Sequence, residues 1–102
     1  MKAKEYFEKY ADGIYKEAHQ PGFYKDGPIM NLMRDLLQEA NQIIVKRKVK
    51  CDEAFLSVLR EQNQKCNAIT NLFEKKYGVS PIRRDAFKII LAHTYDIPEE
   101  DV

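Results

Sequence analysis

The 102-residue chain contains no tryptophan, only two cysteines, four glycines and four prolines, and its charges almost cancel. Each shortage excludes something. Two cysteines cannot build a disulfide framework. If Cys51 and Cys66 share a helix they stand about 22 Å apart at the helical rise, whereas a bridge needs Cα atoms within roughly 7 Å. They are expected as free thiols, which fits a cytoplasmic setting. Seventeen Lys and Arg face sixteen Asp and Glu, so no global field draws the chain to nucleic acid or an anionic membrane, and such a role needs a local patch. No apolar run is long enough to predict a membrane span. The first residues carry Glu5, Glu8 and Asp12 and lack the apolar stretch of a secretion signal. No Gly-rich phosphate loop, EF-hand or HExxH is present. His19 and His93 lie at opposite ends, and with Cys51 and Cys66 they lack the close paired spacings of a zinc site. No catalytic residue, metal or cofactor is assigned, and a non-enzymatic role is expected.

What is present is helical periodicity in a globular composition, 44% apolar and 32% charged. The few glycines and prolines gather at 21–28, at 78–81 and at Pro98, and between them apolar residues recur every three or four positions. Tyr6, Phe7, Tyr10, Ala11, Ile14 and Tyr15 predict a helix over 3–18. Pro28, suited to a first turn, opens a second that Ile29, Leu32, Met33, Leu36, Leu37, Ala40 and Ile43 carry to 48. Phe55, Val58, Leu59, Cys66, Ile69 and Phe73 line a third over 52–77, with Gly78 as its left-handed stop. Ser80 reads as an N-cap with Pro81 at N1 of a fourth helix, 81–93, and the acidic tail 94–102 is expected to fray. No strand-period alternation or internal repeat appears.

The stretch IIVKRKVKCDEAF, Ile43 to Phe55, decides the architecture. No glycine or proline interrupts 29–77, so one rod of about 73 Å would be continuous, but such a rod needs a partner along its length. The alternative is a corner. Lys46, Arg47 and Lys48 would end one helix, where cations complement the dipole, and Asp52 and Glu53 would open the next, where anions do. The corner lets 102 residues bury a core of their own. It predicts one all-α domain, a four-helix bundle around a central antiparallel hairpin.

Candidate interaction residues fall in four groups. Lys46, Arg47, Lys48 and Lys50 offer a few phosphate contacts, or else form a solvated C-terminal turn. Ser80, Arg83 and Arg84, at the expected start of the fourth helix, are placed to bind an anion or a small phosphorylated ligand, or to pair with Glu74, Asp85 or the acidic tail. Asn63, Asn67 and Asn71, four apart, make a carboxamide ladder suited to a partner helix or a base edge, or form a wet surface. Six tyrosines, Tyr24 in the 19–27 loop among them, suit an interface, because a tyrosine buries its ring and keeps its hydroxyl wet, or else Tyr6, Phe7, Tyr10, Tyr15, Phe23 and Tyr24 are core plus loop staples.

Two short stretches resemble known families. Tyr77-Gly78-Val79-Ser80 resembles the turn of bacterial helix-turn-helix regulators, which implies a recognition helix after it. Glu74 stands where that family has a small residue, and the preceding helix is far longer than the family's first helix. Asp52 to Lys65, DEAFLSVLREQNQK, resembles segments of small helical proteins of bacterial prophages. That resemblance implies an accessory or regulatory role in a mobile element and assigns no site residue. The combined expectation is a small cytoplasmic interaction protein that binds a protein partner or itself through helix faces, with nucleic acid as the alternative partner and no membrane.

Overall fold

The computed structural model describes residues 1–18 and 27–102. Tyr24 and the rest of 19–26 lie outside the described residues. Four α-helices follow in order, α1 (Ala3–Ala18), α2 (Pro28–Lys46), α3 (Asp52–Tyr77) and α4 (Ala86–Tyr95), with a short 3-10 turn at Glu99–Asp101. No strand occurs among the described residues. The chain is an all-α bundle with a radius of gyration of 14.0 Å.

The rod does not form. α2 stops at Lys46 and Lys48 takes a left-handed conformation, φ 51°. The Lys48 N–H donates to the Val45 carbonyl at 3.2 Å and the Val49 N–H to the Ile44 carbonyl at 3.2 Å. These two bonds are the Schellman closure of a helix end, here made without glycine. Cys51, in extended conformation, then leads into α3, whose first turn carries Asp52 and Glu53. α2 and α3 therefore fold back on each other as the expected antiparallel hairpin.

α1 lies along both. Against α2 it runs antiparallel. The Tyr6 hydroxyl donates to Glu39 Oε2 at 3.0 Å, the Tyr10 hydroxyl to Asp35, and a Cβ added at Gly13 would meet Pro28 Cγ at 3.2 Å. Against α3 its contacts are aromatic. Phe7 meets Phe73 edge to face at 5.0 Å and Tyr15 stacks on Tyr77 at 4.4 Å. The core these helices share includes Ile14, Leu32, Leu36, Leu59, Ile69 and Phe73, all fully buried. Two fully buried polar side chains enter it, Thr70, whose Oγ1 donates to the Cys66 carbonyl of its own helix at 3.2 Å, and Gln62. Gln62 Nε2 donates to the Leu36 carbonyl at 2.9 Å, which fixes the register of α3 on α2.

Two expected boundaries are corrected. α4 begins at Ala86, not at Pro81, so eight residues separate it from α3. A helix-turn-helix turn takes about 3–4 residues, so the motif that Tyr77–Ser80 resembles is not built. The acidic tail does not fray either. Arg60 Nε donates to the Asp101 carbonyl at 3.1 Å, and Ile97 and Val102 pack against the core.

Candidate functional site

The junction between α3 and α4 is where the two most unusual sequence features meet. Gly78, at φ 82°, ends α3, and its N–H donates to the Glu74 carbonyl at 2.9 Å. Ser80 then closes a small turn, its Oγ accepting the Ile82 N–H at 3.1 Å. That turn plugs Ile82 into the core. Ser80 is thus a turn residue and not a helix cap, and it offers no helix N-terminus to a phosphorylated ligand. Arg83 and Arg84 lie before the helix, not in its first turn.

The asparagine ladder is occupied by this junction. Asn67 Nδ2 donates to Asp85 Oδ1 at 2.8 Å, while the Asp85 N–H donates back to Asn67 Oδ1 at 2.9 Å. Asn63 Nδ2 adds a second bond to Asp85 Oδ1 at 3.1 Å, and Arg84 donates to Asn71 Oδ1 at 2.5 Å. The reciprocal pair holds Asp85 in the left-handed region, φ 61°, from which α4 departs. The bonds from Asn67 and Asn63 keep the Asp85 carboxyl below its ordinary range. Expected as a partner surface, the three carboxamides instead face a loop of their own chain. Asn63 is only 7% exposed, and its Oδ1 accepts no hydrogen bond among the described residues.

α4 runs back along α3, its last residue Tyr95 meeting Phe55 edge to face at 5.1 Å. Phe87 and Leu91 are fully buried beneath it, yet Ile89 stands 59% exposed on its outer side. Two open clefts flank that isoleucine. One, of about 540 Å³, is lined by Arg83, Arg84 and Lys88 and by as many carboxylates, Asp85, Glu99 and Glu100. The other, of about 440 Å³, is lined by His93, Asp96, Ile97 and Glu99. Ile89 and Glu99 belong to both. No ion pair among the described residues joins the cations of the first cleft to its glutamates.

The basic corner lies elsewhere. Lys46, Arg47, Lys48 and Lys50 are exposed, and Arg47 Nη1 stands 3.6 Å from Glu61 Oε2. The corner precedes α3, whereas Arg84 is held at Asn71, about 28 Å further along that helix. The two cationic groups do not form one patch.

A second polar cluster joins α1, α2 and α3. Glu39 Oε2 accepts from the Met1 ammonium at 2.6 Å and from Tyr6, and Glu39 Oε1 pairs with Lys65. Burial opposes its ionisation, but the bonds from Lys65, the ammonium and Tyr6 outweigh that and bring the carboxyl down to about 2. This cluster was not anticipated from sequence. Its signal was available, because Tyr6 and Tyr10 on one helix and Asp35 and Glu39 on the next share the same spacing of four.

Burial pushes the Cys66 thiol up to about 12, which leaves it unreactive. No group of His, Cys, Asp and Glu among the described residues is arranged to hold a metal ion. No helix among them is long and apolar enough to cross a membrane. Comparison of the chain with protein-family models, with curated proteins and with solved structures gives no match.

Proposed function

We propose that this chain is a small non-enzymatic interaction module that binds a protein partner through the outer face of α4 and the clefts beside it. The observation that carries the reading is Ile89. It is a branched aliphatic side chain, 59% exposed, in a helix with one Lys and no Asp, Glu or Arg among its ten residues. Covering it would contribute up to about 2 kcal/mol. Around it stand charged side chains of both signs, Arg83, Lys88, Asp96 and Glu99 among them, which is the plan of an interface with an apolar centre and a polar rim. The asparagine ladder serves this surface indirectly, by fixing the loop from which Arg83 and Arg84 project. Two free thiols suit a cytoplasmic protein, and the likeness of residues 52–65 to prophage proteins suits an accessory role in a mobile element.

The test compares the wild-type chain with Ile89→Glu as baits for cross-linking and capture. A partner retained by the wild type and lost from the folded variant supports the reading. A set of partners held equally by both rejects it.

Nucleic-acid binding at Lys46, Arg47, Lys48 and Lys50 is the second reading, favoured by three lysines that are exposed and make no ion pair among the described residues. Affinity for a duplex that falls steeply with salt would support it, and no detectable binding at low salt would remove it.

A further inference from the structure

We infer that the partner of the α4 face presents an apolar, cationic segment, an aliphatic side chain flanked by Lys or Arg, to the cleft between Ile89 and the docked tail. This rests on the α4 docking reading and adds the chemistry of the occupant. The two clefts beside Ile89 differ in charge. In the first, Arg83, Arg84 and Lys88 are matched by Asp85, Glu99 and Glu100, so it favours neither sign. In the second, of about 440 Å³, Asp96 and Glu99 stand with His93 and no Lys or Arg. Neither carboxylate forms an ion pair among the described residues. Glu99 borders both clefts. Arg84 and Asp85 are already held by the asparagine ladder, which leaves Arg83 and Lys88 against Asp96, Glu99 and Glu100. The face is negative on balance, and the excess lies in the second cleft.

The rest of that cleft is apolar, formed by Ile89, Ala92 and Ile97. Its border with the tail is fixed. Asp96 takes a left-handed conformation, φ 52°, and the Ile97 N–H donates to the Ala92 carbonyl at 3.0 Å. Ile97 packs against the core, and Arg60 holds the tail at Asp101. A seat formed in advance costs little ordering when it is filled. An aliphatic side chain laid over Ile89 and Ile97 is taken out of water. A Lys or Arg beside it spreads its stem over the same surface and brings its charge to Asp96 and Glu99. An acidic segment would meet those carboxylates as like charges.

The experiment is fluorescence anisotropy of two synthetic helical peptides against the full chain. Both peptides carry one stripe of leucines; lysines flank it in the first and glutamates in the second. The lysine peptide is expected to bind about tenfold tighter than the glutamate peptide, with a gap that narrows as salt rises. Asp96→Asn with Glu99→Gln is expected to weaken the lysine peptide about tenfold, and Ile89→Ser to weaken both peptides. Glu8→Gln with Asp12→Asn removes the same charge from exposed positions of α1 and is expected to leave binding nearly unchanged. A lysine peptide that binds no tighter than the glutamate peptide overturns the inference, as does an α1 pair that costs as much as the cleft pair. The two readings fail separately. Equal binding of both peptides that Ile89→Ser abolishes keeps the docking face and loses the cationic partner. Binding and cross-linked capture that both ignore Ile89 lose the two together.

Discussion

The two junctions at either end of α3 both turn through a left-handed residue that is not glycine, Lys48 at one and Asp85 at the other. They are held in opposite ways. At 47–51 the closing hydrogen bonds are backbone to backbone and span at most five residues, with one exposed ion pair, Arg47–Glu61, beside them. At 78–85 the closure depends on side chains from far along the chain, with Asn63 reaching over 22 positions, Asn67 over 18 and Asn71 over 13. The first junction is a property of a few consecutive residues. The second exists only once α3 is formed and its asparagines stand in line. It follows that the surface beyond the second junction, the α4 face, is positioned by a small number of specific hydrogen bonds.

The largest expected effect is the acid response of carboxylates held by distant side chains, and it is greatest at Glu39, outside both junctions. Glu39 is held at about 2, below its ordinary 4.5, so the folded chain takes up that proton less readily than the unfolded chain. Its stabilisation is complete above about 4.5, is lost as pH falls toward 2, and amounts to about 3 kcal/mol. Asp85, also held low, loses stability in the same direction. The backbone closure at 47–51 contains no carboxylate. Urea unfolding between pH 6 and pH 2.5 should show the loss in the wild type and a shallower slope in Glu39→Gln.

Substitution in the ladder is expected to be next in size. Asn67→Ala removes two bonds and leaves the Asp85 N–H without its acceptor, a cost of about 2 kcal/mol. Asn63→Ala removes one bond together with an acceptor that has no partner, and should cost clearly less than Asn67→Ala. Thermal unfolding of both variants checks the order. Equal effects would mean that the ladder holds the loop as a unit.

The smallest effect is at the other junction and has the opposite sign. Lys48→Gly relieves a left-handed lysine and should stabilise by about 0.5–1 kcal/mol, reduced by glycine's extra freedom when unfolded. Denaturant midpoints measure it. A loss of stability would show that the Lys48 side chain holds the corner.

Much of the scaffold was legible in the sequence, and the reason differs by element. α1, α2 and α3 are long and amphipathic, so their spacing of apolar residues could be read directly. The corner was legible from the order of its charges, although Lys48 itself sits beyond the end of α2 because it takes a left-handed conformation. α4 was misplaced at its start because Ser80-Pro81 has the letters of a helix cap, and nothing local reveals that Ile82 is pulled into the core. The asparagine ladder was visible as a pattern, but its purpose was not. Its partner, Asp85, is an ordinary surface residue in any local reading. The tail looked disposable because its anchors, Arg60 and the underlying core, lie outside its own segment.

Local residue chemistry alone determined the helical class and favoured a fold-back before Cys51 over a single rod, since periodicity, caps and charge order act within a turn or two of chain. Tertiary structure alone decided where α4 begins, what the asparagines hold, that the tail is docked, and that Ile89 is left uncovered between two open clefts. Those features depend on which groups meet across thirteen or more residues, and side chains that far apart can find each other only after the core has closed.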